Sequence, residues 1–451
     1  MIFLPKDECE LNMKDEKMIR KEIAVLVGDY YQSKFKTPGF VAGKSRVNYA
    51  GRVFDESELI NGVNAVLDYW LTEGRFSEEF TEKLADFLCV SNVILTNSGS
   101  SANLLAISAL TSQKLGDRQL LPGDEVITVA AGFPATVTPI IQNGLIPVFV
   151  DVDPRTANVD VSALEAALSP QTKCIILAHT LGNPFNIEAV TRISEKAGLW
   201  LIEDNCDALG SRYQGKLTGT FGDLATLSFY PAHHITTGEG GAVITENEGL
   251  ATVLRSFRDW GRDCYCSGGE SNTCGKRFTQ KYGELPLGYD HKYVYSELGY
   301  NLKMTDIQAA IGAAQMDKLQ GFVDVRKENF TRWETIFSEY SEFFARPQAT
   351  PDSDPAWFAY LLTVKPDSPF SREEFTSYLN LKLIETRNLF AGNLTKQPAF
   401  LGRKFRIAGS LGNTDLLMNN SFFLGTYPGL TGEMFEYCAQ QIAEFLNDYR
   451  K

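Results

Sequence analysis

Residues 224–245 read LATLSFYPAHHITTGEGGAVIT. An apolar run, Leu224–Phe229, leads into a polar, glycine-rich turn and then a second apolar run, Ala242–Thr245. Short runs of this kind bounded by turn residues read as buried strands. Working outward, similar runs recur at Val93–Leu95, Glu125–Val129, Pro147–Val150, Cys174–Ala178 and Leu199–Ile202. Between them, Ser101–Ala109 and Val161–Leu168 carry helical patterns. Strands alternating with helices predict an α/β domain with a mostly parallel sheet covered on both faces.

The rhythm breaks at 262–300, a stretch rich in Gly, Cys and Tyr that reads as a long ordered loop. Loops of that length inside compact domains are usually functional. A helical pattern resumes at Met304, long enough to link two domains. Beyond it, a strand-like YLLTV and a closing helix at Glu433–Tyr449 predict a smaller α+β domain. The expected division is an N-terminal segment (1–40), a large domain (41–325) and a small C-terminal domain (326–451).

Composition narrows the function. A formal charge of −13 argues against nucleic acid or an anionic membrane surface as the main partner. No run approaches the roughly 18 apolar residues of a membrane span. The N-terminal MIFLPKDECELNMKDEK places acidic residues where a secretory signal needs an apolar core, so a cytoplasmic location is expected. Eight cysteines then point to metal binding or chemistry rather than disulfides.

Three motifs carry the chemistry. Thr96-Asn97-Ser98-Gly99-Ser100-Ser101-Ala102-Asn103 joins a strand to a helix; its small residues and the helix N-terminus suit a phosphate. Leu201-Ile202-Glu203-Asp204-Asn205-Cys206-Asp207 closes an apolar strand, where ligands of open α/β sheets sit. A carboxylate there can pair with a protonated pyridine nitrogen, or Asp204 can simply cap a helix. The third is the opening stretch, with His233 at its turn.

Together these motifs, with Gly299-Tyr300-Asn301-Leu302-Lys303-Met304, resemble the sugar aminotransferase family of fold-type I pyridoxal-phosphate enzymes. The resemblance implies an aspartate-aminotransferase-like large domain with a mostly parallel seven-stranded sheet. In that family a lysine follows the Ser-Phe strand end after three residues; this chain has His233 there, and no lysine from Leu217 to Gly275. Imidazole cannot make the stable imine that a lysine amine makes with the cofactor aldehyde. The cofactor is therefore expected to be held non-covalently, as pyridoxamine phosphate. His233, with an ordinary pKa of about 6.5, suits proton transfer at neutral pH.

The resemblance also implies roles residue by residue. Asp204 would pair with the pyridine nitrogen, Asp207 would stand near the ring hydroxyl, and Phe133 would stack on the ring. Ser100, Ser101 and Ser228 would contact the phosphate, with Asn301 supplied by a neighbouring subunit, hence a homodimer. Tyr230 would flank the reacting carbons; Tyr293 and Tyr295 are weaker candidates for reaching substrate. A core position for Phe133 and Tyr230 is the plainer alternative.

Cysteines supply the last signal. Cys264, Cys266 and Cys274 fall within the long loop and Cys206 at the strand end, in the pattern Cys-x57-Cys-x-Cys-x7-Cys. Four thiolates suit zinc or an iron–sulfur cluster, and the spacing is typical of neither. With a histidine at the lysine position, the pattern resembles the iron–sulfur branch of nucleotide-sugar 3-dehydrases, which implies a [2Fe–2S] cluster on those four residues. Cys9, Cys89, Cys174 and Cys438 are expected to be structural.

That branch implies a CDP-linked 4-keto-6-deoxyhexose as substrate, loss of its 3-hydroxyl, and reduction by an NADH-dependent flavin/iron–sulfur reductase, in dideoxysugar and lipopolysaccharide O-antigen biosynthesis. The alternatives are a cluster-independent 3-dehydratase, an ordinary aminotransferase, and a zinc-stabilised scaffold without activity.

Overall fold

The computed structural model describes residues 15–450 except 36–38, 265 and 267–270. Its central sheet has eight strands, in the order Asn92–Thr96, Gly241–Thr245, Leu224–Ser228, Trp200–Asp204, Thr172–Ala178, Glu125–Val129, Ile146–Val150 and Arg406–Ile407. All neighbours pair in parallel except Gly241–Thr245, which is antiparallel to both of its partners. The seven strands expected from the apolar runs are all present. Most are buried along their whole length, as a sheet covered on both faces requires.

The eighth strand was not legible. Arg406–Ile407 comes from the C-terminal part of the chain and pairs with Ile146–Val150 at the sheet edge. A bidentate pair fixes it there, Arg406 Nε and Nη2 donating to Glu125 at 2.8 and 2.6 Å. Residues after 326 thus contribute to the large sheet as well as to their own.

The pattern starting at Met304 is two helices, Asp306–Met316 and Leu319–Ser338. They part where Asp317 pairs with Lys83 at 2.9 Å and Lys318 pairs with Asp55 and Glu58 at 3.0 and 2.5 Å. The second helix carries Trp333 and Phe337 into the core of a four-stranded antiparallel sheet formed by Phe344–Ala345, Ala359–Val364, Ser421–Gly425 and Arg387–Asn388. Helices Arg372–Leu381 and Gly432–Asn447 complete this smaller unit.

Within 262–300 the described residues form loops with one 3-10 turn at His291–Tyr293. The two ends are zipped together, with bridges between Asp259 and Asn301 and between Arg262 and Tyr295. Gly261 sits at φ +82°, and a Cβ there would lie 1.9 Å from the Glu297 carbonyl oxygen, so only glycine lets the ends close this tightly. Among the described residues no helix is long and apolar enough to cross a membrane.

Candidate active site

A cavity of about 780 Å³ opens at the carboxyl ends of the central strands and is closed on one side by the smaller unit. Its floor is built by short strand–turn connections. After Asn92–Thr96, Ser98 caps the helix Gly99–Ala109, its hydroxyl accepting from Ser101 N at 3.1 Å. Gly99 lies against Ser228: a Cβ would come within 2.4 Å of the serine Cβ. The two connections therefore approach as a cup of backbone N–H groups and hydroxyls at a helix N-terminus, the chemistry a phosphate needs.

Asp204 ends the strand Trp200–Asp204 and is 5% exposed. Its Oδ2 accepts from Asn103 Nδ2 at 2.9 Å and Thr136 Oγ1 at 2.6 Å, and its Oδ1 accepts from Cys206 N at 3.2 Å. These bonds fix the carboxylate at the cavity floor. Phe133 lines the cavity with its ring 54% exposed, edge-on to Phe390 at 5.9 Å.

His233 hangs in the turn between two strands. Its Nδ1 is buried without a hydrogen-bond partner and lies 3.4 Å from Asp207 Oδ1. Burial, reinforced by the nearby Arg326 charge, pulls His233 down to about 4. The imidazole is therefore neutral, and available as a base, throughout the neutral range. Burial, reinforced by Asp204, pushes Asp207 up to about 7. Neighbouring His234 faces away from this chemistry, with Nε2 2.6 Å from the Ala356 carbonyl.

The structure brings Ser100, Phe133, Asp204, Cys206, Asp207, Ser228, Tyr230 and His233 into this one cavity. Four other candidates do not line the cavity of the single chain, among them Asn301, which was expected to act on a neighbouring subunit. Ser101 turns its hydroxyl to Asn97 Oδ1 at 2.6 Å, because it is needed to close the helix cap. Asn301 accepts from Lys303 Nζ at 2.8 Å at the neck of the insertion. Tyr293 and Tyr295 are about half exposed on the insertion and do not line the cavity.

Other residues gave no signal in the sequence. Arg326, 1% exposed, donates to the His233 carbonyl at 2.9 Å and to the Phe358 carbonyl at 3.1 Å, pinning the histidine turn to the smaller unit. Arg387, the only Arg or Lys among the described lining residues, lies with its guanidinium 4.1 Å from the Tyr49 ring centroid.

Of the four cysteines expected to form one centre, Cys206 and the three loop thiols line different cavities. Cys206 opens on the active-site cavity, its Sγ 3.9 Å from Thr226 Oγ1. Burial and the adjacent Asp204 and Asp207 raise its thiol pKa. Cys264, Cys266 and Cys274 line a separate cavity of about 10 Å³ in the insertion. Spacing along the chain could not show this, because the strand end and the insertion neck face different cavities. Among the described residues no three His, Cys, Asp or Glu groups are yet arranged around one metal position. Of the remaining cysteines, Cys174 and Cys438 are buried and Cys89 is exposed; Cys9 lies outside the described residues.

A mostly parallel sheet with a polar-floored cavity at its strand ends, closed by an α+β unit, defines the fold-type I pyridoxal-phosphate architecture. The chain belongs to the DegT/DnrJ/EryC1/StrS aminotransferase family, whose sequence profile matches residues 54–443. It is 55% identical to the lipopolysaccharide biosynthesis protein RfbH of Salmonella typhimurium, over 95% of this chain and 98% of that protein. It is 47% identical to the dTDP-4-dehydro-2,6-dideoxy-D-glucose 3-dehydratase of Saccharopolyspora spinosa, over 98% and 95%. In structure it is similar to the E. coli GDP-4-keto-6-deoxy-D-mannose-3-dehydratase with bound hydrated pyridoxal phosphate. That likeness has a TM-score of 0.78 at 27% identity and covers 88% of this chain and all of the other. The chain is accordingly a pyridoxal-phosphate-type enzyme that modifies nucleotide sugars.

Proposed function

We propose that the protein is a pyridoxamine-phosphate-dependent 3-dehydratase of a nucleotide-linked 4-keto-6-deoxyhexose. The observation that carries this reading is His233 in the place of a lysine, neutral and open to a cavity whose floor fits the cofactor. Asp204 would hold the pyridine nitrogen, Phe133 would cover the ring face, and Ser100, Ser228 and the helix N-terminus would hold the phosphate. When bound, the cofactor supplies an amine for the 4-keto carbon and a ring that takes up electron density.

The chain's own residues do the rest. Asp207 stands beside His233 Nδ1, which leaves Nε2 as the ring atom for the reacting proton. His233 takes a proton next to the sugar–cofactor junction and returns it to the departing 3-hydroxyl, which leaves as water; no electrons are gained or lost. Tyr230, half exposed in the cavity, would flank the reacting carbons. Arg387 offers a cation to the substrate diphosphate, the ligand type its planar fork suits.

The finer reading is a CDP-linked substrate that is then reduced at C3. A [2Fe–2S] centre in the insertion would pass electrons singly from an NADH-dependent reductase, and the protein would act as a cytoplasmic homodimer in O-antigen dideoxysugar biosynthesis. The three loop thiols and the likeness to a lipopolysaccharide biosynthesis protein support it. The separation of Cys206 from those thiols, and the dehydratases among the relatives, favour the alternative: a cluster-independent 3-dehydratase that releases its product by hydrolysis.

The test is a deuterium-exchange assay with cofactor-loaded protein and CDP-4-keto-6-deoxyglucose, without reductase. Wild type should exchange the cofactor methylene proton and lose the 3-hydroxyl, while His233→Asn should bind cofactor and do neither. Unchanged exchange in His233→Asn would remove the histidine from the mechanism. Repeated turnover with glutamate and no reductase would select the hydrolytic alternative.

A further inference from the structure

His233 is gripped at both ends by one closed circuit of contacts. Its carbonyl accepts from Arg326 Nη2 at 2.9 Å, and the same nitrogen reaches the Ala232 carbonyl at 3.3 Å. Arg326 Nη1 donates to the Phe358 carbonyl at 3.1 Å. The Phe358 N–H donates to the Leu181 carbonyl at 2.8 Å, and the Leu181 N–H donates to Asp207 Oδ2 at 3.3 Å. Asp207 Oδ1 then stands 3.4 Å from His233 Nδ1, which closes the circuit on the imidazole itself.

Two features show that this circuit is held at a cost. Leu181 adopts φ +54°, a left-handed conformation that a branched side chain rarely takes, and only in that conformation do its N–H and carbonyl serve both neighbours. The following Gly182 leaves no room for a side chain, since a Cβ would lie 2.8 Å from Phe358 N. Arg326 is the second feature. It is 1% exposed, yet it caps backbone carbonyls instead of meeting a carboxylate, and its Nε is buried without a partner. A buried cation outside an ion pair lowers stability, so fold stability does not account for its position. Burial first, and then the Arg326 charge, disfavour a proton on His233, so a proton collected there is readily passed on.

We infer that Arg326 is the positioning residue for the proposed base: through the His233 carbonyl on one side and the Phe358–Leu181–Asp207 chain on the other, it fixes where the imidazole stands in the cavity. The inference rests on the dehydratase reading given above. Arg326 lies on the helix Leu319–Ser338 and Phe358 next to the strand Ala359–Val364, so the smaller unit supplies the half of the grip that the large sheet lacks. The phosphate cup and Asp204 lie outside the circuit, and cofactor binding is therefore separable from it.

The experiment uses the full-length, cofactor-loaded protein with CDP-4-keto-6-deoxyglucose and follows deuterium exchange at the cofactor methylene, kcat and KM for loss of the 3-hydroxyl, and cofactor affinity, with far-UV circular dichroism as the control of folding. Arg326→Gln should slow exchange and kcat roughly tenfold or more, because a displaced base loses its alignment, while KM and cofactor affinity stay within about twofold. Arg326→Lys keeps the charge but not the planar fork, so it should fall between, about threefold below wild type. Exchange in Arg326→Gln at the wild-type rate would overturn the inference, and so would a loss matched by equal losses of cofactor and substrate affinity, which marks a merely structural role. If Arg326→Gln fails to fold, Arg326→Lys decides: full wild-type exchange overturns the inference, and slowed exchange at unchanged affinity supports it. Absence of exchange in wild type, or unchanged exchange in His233→Asn, would reject the dehydratase reading itself, a different failure from that of Arg326 alone.

Discussion

Replacing Asp207 with Asn isolates the cost of holding a carboxylate in the cavity floor. Burial and then the charge of Asp204 push Asp207 up to about 7, while the Leu181 N–H at 3.3 Å and Arg326 pull the other way. The unfolded value is ~3.9. Because the folded value is the higher one, the associated stability is complete below pH ~4 and is lost as pH rises through 7. Roughly three pKa units at ~1.4 kcal/mol each set a ceiling of ~4 kcal/mol at pH 8, falling to ~2 kcal/mol at pH 5.5. The side chain keeps 13% of its surface open to cavity water, which lowers the expected value to about half of that ceiling. His233 titrates alike in both proteins and cancels in the difference. Urea denaturation of the apoprotein, followed by tryptophan fluorescence, should therefore show Asp207→Asn more stable than wild type at pH 8 by about 2 kcal/mol, with the gap narrowing by about half at pH 5.5. A variant less stable at pH 8, by an amount that does not move with pH, would refute the desolvation argument.

Two further outcomes follow from buried geometry. Glu203, fully buried, accepts from the backbone N–H groups of Gly219, Phe221 and Gly222 at 2.7–2.8 Å and pairs with His179 at 2.9 Å; Glu203→Ala orphans them all and should cost about 3–5 kcal/mol in urea midpoint analysis. A cost below ~1 kcal/mol would mean that water replaces the carboxylate. Gly99→Ala forces a Cβ to within 2.4 Å of Ser228 Cβ, so titration of cofactor absorbance should show at least a tenfold loss of affinity, about 1.4 kcal/mol; unchanged affinity would place the phosphate elsewhere.

Legibility followed the range of the contacts. His233, Asp204, Phe133 and Ser228 were readable because each sits at a strand end or turn whose local sequence announces it. Arg326 and Arg387 were not: one pins the histidine turn and the other lines the cavity from elements brought in by long-range pairing, and as single residues on a helix and a short strand they look like any surface cation. The strand Arg406–Ile407 was too short for a periodic signal. The grouping of Cys206 with the loop cysteines was legible as a pattern, yet in the fold they line different cavities. A spacing pattern was visible, but it measures distance along the chain, and the fold turns the two ends of that interval toward different cavities.

The neck at Asp259–Arg262 and Tyr295–Asn301 makes the insertion a loop that leaves and re-enters at one point. None of the eight strands of the central sheet passes through it. The appendage can thus loosen, accept a load or be shortened while the ends that anchor it stay registered, and the cavity floor keeps its shape throughout. In evolutionary terms, an appendage of this kind can be lengthened or shed without rebuilding the enzyme beneath it.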